Sequence, residues 1–204
     1  MKKILIFNLL LFVSLSSNAQ RFEDYFEDRT LRLDYTFAGD HEQSSIYVDE
    51  LVTLPRWYGK RQHLNEVPLR GNGQIIMRPH GKDEIIFRHS FSTLFQEWMA
   101  TEEAKHTKKS FENVFLVPFP KDTVEITVEL YDYHDETAVS MTHTVVPTDI
   151  MIRQAGKRDV TPYDVLHQAA DTTRCIRIAF VAEGYTADEM KLRSEERRVG
   201  KECR

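Results

Sequence analysis

Cysteine is scarce in this sequence. Only Cys175 and Cys203 occur among its 204 residues, and Cys203 lies in a C-terminal segment that we expect to be foreign to the natural protein. A single natural cysteine cannot form an internal disulfide, and it cannot build a metal site from several thiolates. We therefore expect the fold to depend on a packed hydrophobic core.

The motifs of the common hydrolases are also missing. The sequence contains no His-Glu-x-x-His, in which two imidazoles one helical turn apart hold zinc while the glutamate polarises its water. It contains neither Gly-x-Ser-x-Gly nor a phosphate-binding loop. We therefore assign no catalytic, cofactor-binding or metal-binding residue in this chain.

Positive charge is in short supply as well. The full sequence carries 27 basic and 32 acidic side chains. Without residues 1–19 and 193–204, 20 basic and 29 acidic side chains remain, a net charge of about −9. Such an acidic balance disfavours nucleic acids and anionic membrane surfaces as partners. The residues give no indication of the oligomeric state.

Residues 1–19 have the three parts of a secretory signal peptide. Lys2 and Lys3 precede the apolar stretch Ile4–Leu15, and small residues lead to a predicted cut after Ala19. The apolar stretch is shorter than the roughly 20 residues that a membrane-spanning helix needs. We therefore expect secretion, to the periplasm or the extracellular space, without a stable membrane anchor.

The other end of the chain has an unusual sequence, RSEERRVGKEC over Arg193–Cys203. A charged, solvated helix end could have this composition. The run also matches, residue by residue, the translation of a common sequencing adapter. We therefore expect residues 193–204 to be a non-native tail and the natural part of this fragment to end near Leu192.

The body of the chain reads mainly as β-strands. Leu31–Phe37 and Val124–Leu130 alternate apolar and polar residues, which is typical of strands with one buried face. Further strands are predicted around Ile46–Val48, Val114–Val117 and Ala138–Val146. Several short strands separated by turns favour a mainly β fold, an antiparallel β-sandwich spanning residues 20–148.

A hairpin is predicted in the middle of this domain. Ile75–Met77 and Ile85–Phe87 flank a turn at His80–Asp83. Just before them, Gly71–Gly73 predicts a tight turn, because glycine and asparagine tolerate positive φ.

One helix, predicted over Thr93–His106, interrupts the strands. Thr93 and Gln96 have the spacing of a capping box, and Ser92 is the alternative cap. The apolar residues of the helix recur at helical spacing, which indicates ordinary packing against the core of the sandwich.

Residues 149–192 differ from the predicted sandwich in their sequence pattern. We predict a linker with a short helix around Val165–Ala170, followed by a strand over Cys175–Ala182 whose near-continuous apolar run is typical of burial on both faces. Thr186 and Glu189 then form a capping box that opens a helix. This segment is therefore predicted to be the truncated start of an α/β domain.

A few polar groups could carry chemistry, and each has a simpler interpretation. Glu102 and His106 could share a metal, but a solvated helix end is favoured, where a protonated histidine complements the helix dipole. The acidic run Asp132–Glu136 could bind a cation, but it lies where a hairpin turn is expected. His41 and His80 are predicted to be surface residues. Cys175 is expected to be a small buried apolar side chain rather than a nucleophile.

Several segments together resemble metallopeptidase family 64, the IgA-peptidase family. The resemblance is carried, in order, by these runs: Phe22–Phe26, Thr30–Tyr35, Trp57–Gly59, Gly71–Ile75, Phe91–Trp98, Phe115–Pro120 and Val181–Thr186. It covers nearly the whole chain from Phe22 to Leu192. It implies an N-terminal β-sandwich followed by a zinc peptidase domain, of which residues 149–192 would be the first part.

The resemblance transfers no active-site residue to this chain. The family's His-Glu-x-x-His ligands would lie beyond Leu192, and Glu183 is interpreted as the end of a strand. The resemblance thus implies an inactive N-terminal fragment of a secreted zinc metallopeptidase that acts on a protein substrate. No cofactor is expected in the fragment, and zinc is expected in the complete protein.

A second hypothesis is a secreted β-sandwich that binds protein or glycan through its loops. Its best support is the segment Leu54–Leu69, in which Trp57 and Tyr58 could stack on a ligand. The natural reading frame beyond Leu192 separates the two hypotheses. A downstream His-Glu-x-x-His favours the peptidase, whereas a stop codon or further sandwich repeats favour the binding module.

Overall fold

A computed structural model describes residues 20–155, 165–171, 175, 178, 179 and 186. The chain divides into two compact units, residues 1–162 and 163–204. Nearly all of the described residues lie in the first unit, and its fold is the predicted β-sandwich. No helix among the described residues has the length and apolar character needed to span a bilayer.

Two four-stranded sheets form the sandwich. The strands are β1 (Phe26–Gly39), β2 (Ser44–Leu54), β3 (Gly73–Pro79), β4 (Phe87–Phe91), β5 (Lys109–Pro120), β6 (Val124–Tyr131), β7 (Thr137–Val145) and β8 (Arg153–Gln154). The first sheet has the order β5-β1-β2-β8 and the second β4-β3-β6-β7. Neighbouring strands are antiparallel except for β2 and β8, which are parallel. The described residues also form two short helices, α1 (Phe22–Tyr25) and α2 (Leu94–Met99), and a 3₁₀ turn (Glu103–Lys105).

The core lies between the sheets and is unusually aromatic. Because side chains of a strand alternate between its faces, β1 directs every second residue inward. Its inward residues are Leu31, Leu33, Tyr35 and Phe37, all fully buried. They meet Ile75 and Met77 of β3 and Ile126 and Val128 of β6 from the other sheet. Full burial of such a side chain stabilises the fold by about 1.5–3 kcal/mol.

The long pairing of β1 with β2 is interrupted by a β-bulge. Asp34 pairs with Glu50 and Tyr35 with Val48, so that Asp49 is the extra residue. The bulge bends β2 and increases its local twist.

The predicted hairpin is confirmed, with different details. β3 and β4 pair from Gly73 opposite Phe91 to Met77 opposite Phe87, so the second strand starts later than the sequence indicated. The run Gly71–Gly73 permits a tight turn with positive φ, but neither glycine adopts a positive φ. They are required for space instead. A Cβ on Gly71 would overlap the carbonyl of Phe91, and one on Gly73 would overlap the Phe91 ring.

The helix is much shorter than the predicted Thr93–His106. α2 ends at Met99, and a separate 3₁₀ turn follows. Two side chains explain the break: the Thr101 hydroxyl donates to the Trp98 carbonyl at 2.7 Å, and the Trp98 indole donates to Glu103 at 2.8 Å. The Thr101 hydroxyl competes with continued helical hydrogen bonding at the Trp98 carbonyl, and the indole contact links the end of α2 to the 3₁₀ turn.

The N-cap of α2 is Thr93, as predicted, and not Ser92. Its hydroxyl accepts a hydrogen bond from the Gln96 backbone N–H at 3.4 Å. The reciprocal half of the capping box does not form. The Gln96 amide donates instead to the carbonyls of Asn72 and Tyr131, at 2.6 and 3.1 Å. The start of α2 is thereby tied to the second sheet.

The sandwich extends beyond the boundary predicted at residue 148. β8 pairs with Val52 and Thr53 of β2, Ala155 donates its N–H to the Thr53 carbonyl at 3.1 Å, and Ile152 is 7 % exposed. The pairing of β8 with β2 depends on the path that the chain takes between them, and the alternation of residues within a strand does not show that path. The first sheet therefore includes Arg153 and Gln154, beyond the predicted boundary.

Few of the predictions after residue 155 fall on described residues. The predicted helix around Val165–Ala170 is wrong, since these residues are not helical and Val165 and Leu166 are exposed. Without apolar burial so short a helix is marginal in water. Of the predicted strand Cys175–Ala182, only Cys175, Ile178 and Ala179 are described, and none is in a strand. Glu183, the signal segment 1–19 and the tail 193–204 lie outside the described residues.

Candidate functional site

The acidic run Asp132–Glu136 forms a turn, which confirms the interpretation that the sequence favoured over a cation site. It connects β6 to β7, and Asp135 has a φ of 65°. The Asp132 carboxylate accepts the backbone N–H groups of Glu136 and His134 at 2.9 and 2.8 Å. These hydrogen bonds hold the pKa of Asp132 below its usual value. The carboxylate stabilises the turn and is not directed at a ligand.

The histidine–carboxylate pairs lie on the surface. His106 is 3.6 Å from Glu102, and both side chains are about three-quarters exposed. Lys105 contacts the same carboxylate at 2.6 Å. His41 and His80 pair with Glu42 and Glu125, at 3.6 and 3.0 Å. In the described part of the chain no three metal-ligating side chains come together. Cys175, which the sequence predicts to be buried, is only partly buried.

Trp57, which the binding hypothesis placed on the surface, belongs to the core. Its side chain is 6 % exposed, and its ring meets Phe87 edge-on with centroids 6.0 Å apart. The indole N–H donates to the Lys60 carbonyl at 3.0 Å. Only Tyr58, at 60 % exposure, faces solvent. The prediction that both rings are available for stacking is therefore wrong for Trp57.

Lys60 stabilises the rest of this loop through hydrogen bonds. Its ammonium donates to the backbone carbonyls of Glu66 and His63, at 2.7 and 3.3 Å, and lies 5.2 Å from the centre of the Phe87 ring. Burial lowers the pKa of Lys60 to about 8. The loop between β2 and β3 thus covers one end of the core rather than forming an open cleft.

A polar pair, the buried Tyr35 and the half-buried His143, joins the two sheets. The Tyr35 hydroxyl on β1 lies 2.7 Å from His143 Nε2 on β7, and the two rings meet edge-on. Burial lowers the pKa of His143 and raises that of Tyr35. The alternation of β7 indicates an inward position for His143, which follows Val139 and Met141 at every second residue.

The described residues form a groove beside β8. Its volume is about 430 Å³, and it is lined by Arg29, Thr53, Phe119, Pro147, Thr148, Asp149, Ile150, Ile152, Arg153 and Gln154. The groove forms where the segment after β7 returns along β2, so its walls come from four separate parts of the sequence. No local pattern in the sequence could have indicated it.

Arg29 and Phe119 form the floor of this groove. The guanidinium lies over the Phe119 ring, 4.2 Å from its centre. It donates to Thr53 Oγ1 at 2.8 Å and to Glu27 at 3.0 Å. Such stacking holds the planar donor face of arginine in a fixed orientation.

The second arginine of the groove, Arg153, is paired with a carboxylate. It contacts both oxygens of Glu50, with Nη2 at 2.8 Å from Oε2. The ion pair raises the pKa of Arg153 and lowers that of Glu50. Both arginines of the groove are thus paired with carboxylates, and the apolar Phe119 and Ile152 are almost fully buried. The Asp149 carboxylate, which also lines the groove, accepts the Met151 backbone N–H at 2.9 Å.

Comparison with known proteins adds an independent line of evidence. No curated protein matches the chain. The family model described as Peptidase M64 N-terminus matches residues 21–142, which is more than half of the chain and reaches from the residue before α1 into β7. The chain belongs to the peptidase M64 N-terminus family.

Proposed function

We propose that this chain is the accessory, non-catalytic N-terminal part of a secreted zinc metallopeptidase. The observation that carries the proposal is the match of a peptidase N-terminal family to residues 21–142. That stretch contains most of the sandwich. The proposal gives the sandwich the role of a folded module that precedes a peptidase domain.

The chemistry proposed for the complete protein requires residues that lie further along the chain. Zinc held by a downstream His-Glu-x-x-His would activate a water molecule for attack on a peptide carbonyl. We place no step of this chemistry in the groove beside β8, where the Asp149 carboxylate accepts the Met151 backbone N–H. This chain by itself is therefore expected to hold no stoichiometric zinc and to have no peptidase activity. Immunoglobulin A occurs only in the label of the family, and the substrate that we propose is a protein.

Secretion forms part of the same proposal. It rests on the three-part signal sequence in residues 1–19. Expression of the full-length chain in a bacterial host tests it, because N-terminal sequencing of the exported protein should begin at Gln20. A protein that stays in the cytoplasm with Met1 intact would contradict this part.

Metal content and activity of two proteins test the main proposal. The first is the chain from Gln20 onward, and the second is the product of the complete natural reading frame. After dialysis, zinc analysis should give close to one zinc per chain for the complete protein and none for the fragment. Only the complete protein should cleave a denatured protein substrate, and a chelator should abolish cleavage. Tightly held zinc in the fragment, or a complete protein without zinc, would refute the proposal.

The binding-module hypothesis retains one supporting observation, the groove with Arg29 stacked on Phe119. Its other support is weaker, because Trp57 is buried. The reading frame beyond Leu192 remains the discriminating observation. A complete protein made only of further sandwich repeats would favour binding over hydrolysis.

A further inference from the structure

β7 is an edge strand with one partner in the described structure. It closes the sheet β4-β3-β6-β7 and pairs with β6 along its whole length, from Val145 opposite Val124 to Thr137 opposite Tyr131. The backbone N–H and C=O groups that point away from β6 therefore form a row of hydrogen-bonding groups nine residues long. Such a row is a template for another strand.

β7 also lacks the charged residues that protect the other edges of the sandwich. No lysine, arginine, aspartate or glutamate occurs between Thr137 and Val145. By contrast, β4 carries Arg88, and β5 carries Lys109 and Glu112. The fourth edge, β8, is only two residues long. Short edges and charged side chains are the usual devices against strand addition, and β7 has neither.

The side chains of β7 fit a pairing partner. On the inner face, Val139 and Met141 are only partly buried while packing against the core. On the outer face, Ser140 and Thr142 are small and would not obstruct a neighbouring strand. His143 is fixed to Tyr35 of the opposite sheet, which holds the strand against the sandwich. An added strand would cover the exposed parts of Val139 and Met141.

We propose that β7 is a dimerisation edge, to which β7 of a second copy of this chain pairs in antiparallel orientation about Met141. This symmetry places Met141 opposite its own counterpart, Val139 opposite His143 and Ser140 opposite Thr142. No like charges face each other directly along the strands, a condition that antiparallel pairs require. The result is a continuous eight-stranded sheet with a two-fold axis, the commonest symmetry of protein dimers.

The net negative charge of the chain opposes this association. With a net charge of about −9 after removal of residues 1–19 and 193–204, two copies repel each other, and salt screens that repulsion. The dimer should therefore strengthen as the salt concentration rises from 20 to 500 mM. A dimer held by ion pairs would show the opposite trend.

Sedimentation of three proteins tests the proposal. The chain from Gln20 onward should sediment as a concentration-dependent dimer. Ser140→Lys adds a charge to the edge, next to Glu129 of β6, and should weaken the dimer by at least tenfold. Ser45→Lys makes the same change at an exposed position of β2 and should have no effect. Circular dichroism of each variant establishes that it is folded.

Disulfide trapping locates the interface. In a Cys175→Ser, Cys203→Ser background, Met141→Cys should form a covalent dimer on mild oxidation, because the two side chains face each other across the axis. Ser45→Cys should remain a monomer under the same conditions. A monomeric parent chain at about 100 μM would overturn the proposal. So would a dimer that Ser140→Lys leaves intact and Met141→Cys does not trap.

Discussion

His143 shows how one partly buried histidine can make the stability of a sandwich depend on pH. Burial lowers the pKa of His143 below the usual value of about 6.5, so the folded chain loses this proton at a lower pH than the unfolded chain does. The unfolded chain therefore binds a proton that the folded chain does not bind. The free energy of unfolding is unaffected well above pH 6.5 and falls as the pH decreases through the interval between the two pKa values.

This linkage leads to the first prediction. His143→Gln removes the titrating group, so the loss of stability between pH 7.5 and pH 5 should be smaller in the variant than in the parent. Urea unfolding at both pH values measures it. His134→Gln, at an exposed position in the turn before β7, serves as the control and should retain the dependence of the parent. An unchanged slope in His143→Gln would show that the pair does not control acid stability.

Two neighbouring aromatic residues have opposite roles, and this leads to the second prediction. Trp57→Ala should lower the free energy of unfolding by about 3–5 kcal/mol, because it opens a cavity against Phe87. Tyr58→Ala should cost less than about 1 kcal/mol, since the ring is mostly exposed. Thermal or urea unfolding measures both. Similar losses in the two variants would mean that the loop does not cover the core as described.

At the scale of the element, α2 is too short to be stable by itself and depends on its ends. Six residues cannot offset the cost of nucleating a helix. Phe95 and Trp98 anchor it in the core, and Thr93 and Gln96 connect its first turn to the backbone around it. The helix therefore depends on the sheet for its formation.

The third prediction concerns this cap. Thr93→Ala should lower the free energy of unfolding by about 1 kcal/mol, the usual cost of a lost N-cap. Thr93→Ser retains a hydroxyl that accepts the Gln96 N–H and should remain close to the parent. Chemical unfolding of both variants measures the difference. Equal destabilisation by alanine and serine would assign the effect to the lost methyl group instead of the hydrogen bond.

At the scale of the whole molecule, the sandwich is closed by a segment that the sequence assigns to a linker. Ile152 is buried, Arg153 pairs with Glu50, and Ala155 bonds to Thr53. A chain of residues 20–155 retains all three interactions, whereas a chain of residues 20–149 lacks them. The boundary of the stable unit therefore lies after Ala155.

The fourth prediction tests this boundary. The chain 20–155 should unfold cooperatively and resist limited proteolysis. The chain 20–149 should unfold several degrees lower, because loss of a buried isoleucine alone costs about 2–5 kcal/mol. Scanning calorimetry compares the two. The variant Ile152→Ala in the longer chain is the matched control and should account for most of the difference. Equal melting temperatures would place the boundary before β8.

The sequence by itself determined the fold class and the location of most strands. Alternation over Leu31–Phe37 and Val124–Leu130 predicted two central strands, because a half-buried strand must place apolar residues at every second position. The cap at Thr93 was predictable for a similar reason, since the capping bond joins residues three apart in the chain. The family was recognisable because its landmark runs occur in order along the chain.

Only the tertiary structure decided the remaining features, because they depend on contacts between residues distant in sequence. The groove brings together Arg29, Phe119 and Arg153, and the pairing of β8 with β2 joins residues about one hundred positions apart. The sequence did not show that Trp57 is buried, because the exposure of a side chain depends on the segments that pack over it and not on its neighbours in the chain. The same reason applies to Gly71 and Gly73, whose missing side chains make room for Phe91. Local patterns specify how a segment folds, and packing between segments specifies which of its residues remain available to a ligand or a partner.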